Sequence, residues 1–132
     1  MATYRKLLKN RKGDIIIPVT DLMGDYSTTE LFTGCHWVDG RKIYKKTINF
    51  GSLPDNTTKR VDLNITNLKK IVKIDQHVTN GSDDSALVLM SSTVGNTGFN
   101  LYILNRQLCI GTNSDKSSIS AYFTVYYTKT TG

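Results

Sequence analysis

Glutamate is nearly missing from this chain of 132 residues, and Glu30 is the only one. That scarcity argues against chemistry built on two opposed carboxylates held at a fixed separation, as glycoside hydrolysis requires. Asp83-Asp84 sit side by side in a Ser/Gly-rich stretch, where aspartates act as solvated turn formers, and Asp14, Asp39, Asp62 and Asp75 fall in no catalytic pattern. His36 and His77 are too few and too far apart for a metal site. Cys35 and Cys109 allow at most one disulfide and match no zinc spacing; two buried thiols are the expectation. Nucleophile-elbow, phosphate-loop and His-Glu-x-x-His motifs are all lacking. No catalytic residue, metal or cofactor is therefore expected. The chain also has no apolar run of membrane-spanning length, which excludes a transmembrane helix and membrane insertion by that route. The N-terminus sets Arg5, Lys6, Lys9, Arg11 and Lys12 around only a Leu7-Leu8 pair, and no secretory signal is expected there. The triplets Asn56-Thr57-Thr58, Asn64-Ile65-Thr66 and Asn80-Gly81-Ser82 fit the glycosylation pattern but, without export, are expected to be incidental.

What the chain does have is positive charge. Seventeen basic against eleven acidic residues give a net +6. Five of the basic residues lie in the first twelve positions, and Arg41, Lys42, Lys45 and Lys46 form a second cluster. No nucleic-acid motif accompanies them, and nucleic acid is not the expected partner. Lysines on the wet face of strands also keep sheets soluble, and a basic surface suits an anionic cell-wall polymer equally well.

Helical periodicity is nearly absent, and apolar residues recur at every second position, as in half-buried strands. Trp37-Val38-Asp39-Gly40-Arg41 predicts an early hairpin closed by a two-residue Asp-Gly type I′ turn. Val61, Leu63 and Ile65 alternate with polar neighbours; Val72, Ile74 and Val78 share a parity, with Ile71 at a bulge or two-sided position. Phe99, Leu101 and Ile103 face one way and Tyr102 the other, and Leu108 and Ile110 follow a short Asn105-Arg106 connection. Ala86 to Met90 is continuously apolar, as expected of a strand covered on both faces. The last strand is the clearest. Ile119, Ala121, Phe123, Val125 and Tyr127 make a core-like face, and Ser120, Tyr122, Thr124, Tyr126 and Thr128 make the other. Short strands separated by polar turns at 51–56, 80–84, 95–98 and 113–115 indicate an all-β antiparallel sandwich or jelly-roll-like domain. Residues 1–25 form a basic N-terminal arm with an apolar strand from Ile15, its Pro18 arguing for a sheet edge, and residues 26–132 form the β-sandwich head.

Candidate ligand-binding residues are Trp37, Tyr122 and Tyr126. A lone tryptophan beside a tight basic turn is either a core anchor or a contact residue. Tyrosine joins an apolar ring to a hydroxyl that can stay wet, which suits subunit interfaces and sugar stacking alike. Tyr122 and Tyr126 lie on the less apolar face of the last strand, and Tyr102 and Tyr44 are candidates for the same face. That face packs against a second sheet, against identical subunits, or against a glycan; the sequence leaves all three open.

Tyr26-Ser27-Thr28-Thr29-Glu30, Gly34, Trp37 to Arg41, Ile43 to Ile48 and Asn49-Phe50-Gly51-Ser52-Leu53-Pro54 together form a recognisable series. With Val61 to Leu68, Ser118 to Tyr122 and Val125 to Thr131 in the same order, it resembles the C-terminal head pattern of bacteriophage tail-fibre and other virion attachment proteins. The resemblance covers residues 26 to 131 and carries no catalytic signature. It implies a β-sandwich-like head, commonly a homotrimer, that is displayed on the virion and contacts a host surface component, often saccharide. About 25 residues precede the match where fibre proteins usually place a long shaft. That implies a short tip, baseplate or head-fibre subunit joined to other virion proteins through the basic arm, or a pattern that serves assembly alone. The protein is then expected in the virion, made in the host cytoplasm. A purely structural virion component without receptor contact is the alternative.

Overall fold

The computed structural model describes Leu8–Lys9, Ile15–Ile16 and residues 25–82, 84–87 and 99–131. Within the arm, β1 (Leu8–Lys9) and β2 (Ile15–Ile16) pair antiparallel, Leu8 opposite Ile16. Pro18 lies outside the described residues.

Strand formation elsewhere follows the alternation of apolar and polar residues. β3 (Leu31–His36), β4 (Lys42–Ser52), β6 (Leu68–Thr79) and β9 (Ser120–Lys129) make a four-stranded antiparallel sheet in the order β3-β4-β9-β6. β5 (Thr58–Asp62), β7 (Phe99–Leu104) and β8 (Gln107–Thr112) make a three-stranded antiparallel sheet in the order β5-β8-β7. No helix occurs among the described residues. The two sheets close over one core, giving a sandwich-like all-β fold. Ile48, Phe50, Val78, Ala121, Phe123, Val125 and Tyr127 come from the larger sheet, and Leu108 and Ile110 from the smaller. Leu63 and Ile65, just beyond β5, complete the layer between them. The core-like face read from the last strand is the buried one: Phe123, Val125 and Tyr127 are fully enclosed and Ala121 nearly so.

The two sheets are also fastened by a reciprocal pair of lysines. Lys46 on β4 donates from Nζ to the carbonyls of Leu63 and Asn64 at 3.0 and 2.9 Å. Lys59 on β5 donates to the carbonyls of Phe50 and Ser52 at 2.7 and 2.9 Å, with its ammonium 4.8 Å from the Phe50 ring centre. Bonds from a charged donor are the stronger kind. Those to Phe50 and Ser52 fall where β4 bulges: the register slips between Asn49 and Gly51, and Gly51 takes φ +79°.

Several local expectations need correction. The Asp39-Gly40 hairpin is closed by a three-residue loop, Val38-Asp39-Gly40. Gly40 N donates to Trp37 O (2.9 Å) and Trp37 N to Arg41 O (2.8 Å), and of Asp39 and Gly40 only Gly40 has positive φ, +86°. This is the type I turn with a glycine bulge that competes with the I′ turn at such sequences. The two-residue turn with both φ positive lies instead at Asn105-Arg106, φ +52° and +62°, between β7 and β8. β6 carries two extra residues, Lys69 and Val72. Ile71 faces Tyr127 and Lys73 faces Tyr126, so Val72 turns outward while Ile71 and Ile74 pack on the core. Val72 therefore does not share the face of Ile74. Of the apolar run at 86–90, Ala86 and Leu87 are exposed rather than covered, and Leu87 makes a single bridge to Val78; the remainder lies outside the described residues. Asn56 and Asn64 open two of the Asn-x-Thr triplets and take φ +51° and +53°, a backbone region that asparagine tolerates better than most residues.

Candidate functional site

Cross-strand partners in an antiparallel sheet share a face, so register assigns each side chain to the core or to the outside. On β9, Tyr127, Val125, Phe123 and Ala121 point inward, which sends Thr128, Tyr126, Thr124 and Tyr122 outward. The same register places Lys45, Thr47 and Asn49 of β4 and Lys70, Lys73, Asp75 and His77 of β6 on that outer face. Thr33 and Cys35 of β3, Ile43 and Val72 line an open groove of about 290 Å³ beside Tyr126 and Lys73. Trp37 follows Cys35 where β3 ends, half-buried under Lys70. Trp37, Tyr126 and Tyr122 thus lie along one sheet surface, on the side away from the core. The second sheet does not cover it. Four positions apart on the strand, Tyr122 and Tyr126 are separated by roughly 13 Å.

The other two tyrosines do not join them. Tyr44 stands opposite Tyr127 on the inner face, stacked on it with ring centres 6.2 Å apart, and packs against the core. Tyr102 belongs to the smaller sheet, opposite the buried Cys109. The two thiols accordingly sit on different sheets, Cys35 half-buried on β3 and Cys109 buried on β8.

Around Tyr126 the face is charged. Lys73 Nζ lies 4.7 Å from the Tyr126 ring centre and 3.6 Å from Asp75. Burial, then the charge of Asp75, pushes the Tyr126 hydroxyl up to about 12. Lys70 Nζ lies 5.7 Å from the Trp37 ring centre. Farther along, Tyr26 meets His77 edge-on at 5.5 Å, and with Thr47 and Tyr122 they line a second, apolar hollow of about 310 Å³. Tyr122 remains 47% exposed. Beneath Tyr26 lies Lys45, only 2% exposed and 4.9 Å from that ring centre. Burial lowers the pKa of Lys45, and the charge of Asp25 partly offsets this. Thr124 is enclosed between Thr47 Oγ1 (3.0 Å) and His77 Nε2 (3.3 Å). Thr128 Oγ1 is buried without a hydrogen-bond partner among the described residues.

The basic cluster at 41–46 is only in part the solvated patch its composition suggests, Lys42 being exposed. Arg41 donates to the carbonyls of Lys129 and Thr130, Lys42 covers Phe32, Lys45 is enclosed and Lys46 holds the loop after β5. The residues that sequence reasoning missed are Lys70, Lys73, Tyr26 and His77. Three positions apart in a regular strand, Lys70 and Lys73 point to opposite faces; the Val72 bulge brings them to the same one. A lysine-rich strand with an unresolved parity was the available signal.

Rings, ammonium groups and hydroxyls on an open sheet are the chemistry of reversible binding. Among the described residues no three His, Cys, Asp or Glu side chains converge on a metal position. No helix among them is long and apolar enough to cross a membrane. No protein-family profile matches the chain, and no curated protein or solved structure is similar to it.

Proposed function

We propose that this chain is a non-catalytic bacteriophage virion attachment protein, a fibre or tip head domain of jelly-roll-like topology that binds a saccharide on the host cell surface. In this reading it is a homotrimer, joined to other virion proteins through the basic arm. The observation that carries the proposal is the alignment of Trp37, Tyr126 and Tyr122 on one outer sheet face, beside open grooves, in a chain whose residues 26–131 resemble virion attachment heads. Each such site binds weakly; three per trimer and many trimers per particle multiply the residence time.

The test is labelling of a panel of bacterial cells by the isolated protein and by the Trp37→Ala/Tyr122→Ala/Tyr126→Ala variant. Wild-type protein is expected to label host cells, and the triple variant to lose most of that labelling while keeping its thermal midpoint within a few degrees. Unchanged labelling by a folded variant sinks the site assignment. The exposed Tyr122 and the apolar hollow beside Tyr26 and His77 favour a second reading, in which this face is a subunit contact and the protein a structural virion component. It predicts that isolated protein labels no cells.

A further inference from the structure

Two of the three aromatic rings on the outer face already carry a cation. Lys70 covers Trp37 and Lys73 covers Tyr126, with ammonium-to-centroid distances of 5.7 and 4.7 Å. A neutral sugar that stacks on either ring must first displace the lysine, giving up a contact of about 0.5–1 kcal/mol at an exposed site. A ligand that brings a negative group meets the ammonium where it stands, with the ring beneath holding it in place. Lys73 is open to such a ligand: its side chain is 57% exposed, and Asp75, its ion-pair partner at 3.6 Å, is itself 37% exposed. Exposed pairs of that kind contribute little and are readily exchanged.

Several other cations of the described residues are committed to the fold. Arg41, Lys46 and Lys59 are bound to backbone carbonyls, Lys129 to Glu30, and Lys45 is enclosed. Lys70 and Lys73 stand opposite the outward-facing Thr128 and Tyr126 of β9, separated along the strand by roughly 10 Å. A single line of two cations with Asp75 at its flank suits one flexible chain laid along the sheet better than a rigid duplex, which needs a broad basic surface.

We propose that the outer face of the four-stranded sheet binds an extended anionic polymer of the cell envelope, whose negative groups seat on Lys70 and Lys73 above the Trp37 and Tyr126 rings. This deepens the attachment reading and rests on it for the source of the polymer. Phosphodiester and carboxylate polymers share the required chemistry.

The experiment titrates the full chain with poly(glycerol phosphate), polygalacturonate, neutral dextran and duplex DNA. It compares wild type with Lys70→Gln/Lys73→Gln and Lys70→Arg/Lys73→Arg, with thermal midpoints confirming the fold of each. At least one of the two anionic polymers is expected to bind, and which one does names the group recognised. Its Kd should rise tenfold or more in the glutamine variant and recover to within about threefold in the arginine variant, since charge is retained there. Dextran should neither bind nor compete. The proposal is overturned if neither polyanion binds, if the glutamine variant binds like wild type, if dextran competes, or if duplex DNA binds as tightly as the polymers. Cell labelling that survives the glutamine substitutions leaves attachment standing and removes the lysines from it. Lysine-dependent polymer binding without cell labelling removes attachment and keeps the anion site.

Discussion

The single glutamate shows how much one side chain can organise. Glu30 accepts the Tyr127 hydroxyl at 2.6 Å on one oxygen and Lys129 Nζ at 3.0 Å on the other, linking the segment before β3 to the far end of β9. The Tyr127 ring is fully buried, and burial together with the Glu30 bond holds its hydroxyl well above the usual tyrosine range. Tyr127→Phe removes one bond to a charged acceptor and should lower stability by about 2 kcal/mol; the urea midpoint measures it. Tyr126, pushed up to about 12, leads to a pH prediction. The folded state holds this proton more tightly than the unfolded chain, so its contribution is intact below the ordinary value of 10 and is lost as pH rises from 10 to about 12. Tyr127 acts in the same sense. Lys45, lowered by burial, acts oppositely, but only below its ordinary 10.5. Stability should therefore fall between pH 10.5 and about 12, and urea titrations of Tyr126→Phe should show a shallower fall there. None of this is readable from composition. Tyr127 is assigned to the core by alternation alone, whereas its partnership with Glu30 spans 97 positions of sequence and exists only once the sheet has formed.

At the scale of strands and turns, alternation carried most of the information and bulges hid the rest. Ala121, Phe123, Val125 and Tyr127, with Leu108 and Ile110, have the burial their pattern implies, because β9 and β8 each lie between two partners and one face must meet the core. Val72 and the slip at Phe50 break parity without a proline to mark it, and each moves side chains to a face that a regular strand would deny them. Lys45, Thr124 and Thr128 were unreadable for a related reason. They sit on the outer face of inner strands, and neighbouring side chains enclose them there although their types suggest exposure. Turn chemistry yields a paired prediction. Arg106 takes φ +62° in the two-residue turn before β8, a conformation that costs a residue with a Cβ about 1–2 kcal/mol. Arg106→Gly creates an Asn-Gly turn and should raise stability by about 0.5–1 kcal/mol, net of the extra freedom glycine gives the unfolded chain. At Gly40, φ +86°, an added Cβ meets nothing within 4 Å, so Gly40→Ala should cost about 1 kcal/mol from backbone strain alone. Opposite shifts of the two urea midpoints test the turn assignment. Equal shifts refute it.

For the whole molecule, the all-β class and the antiparallel pairing were legible in the sequence, while the order β3-β4-β9-β6 was not, since joining β4 to β9 depends on contacts about 75 positions apart. The candidate residues Trp37, Tyr122 and Tyr126 came to one face; Tyr44 and Tyr102 went elsewhere, because a tyrosine ring serves a core as well as a surface. Light scattering behind size-exclusion chromatography should give three times 14.8 kDa. A clean monomer would count against the trimeric attachment head proposed above. The crossed lysines between the sheets have a further, chemical consequence. An amine held between two carbonyls cannot swing out to meet a bulky reagent until those bonds open, so Lys46 and Lys59 should acylate slowly with an amine-directed reagent, as should the enclosed Lys45. Lys69 and Lys73, exposed on β6, should acylate first. Mass-mapped acylation rates then become a clock for the opening of the sandwich: the two clamp lysines should react together, at the rate at which the sheets part.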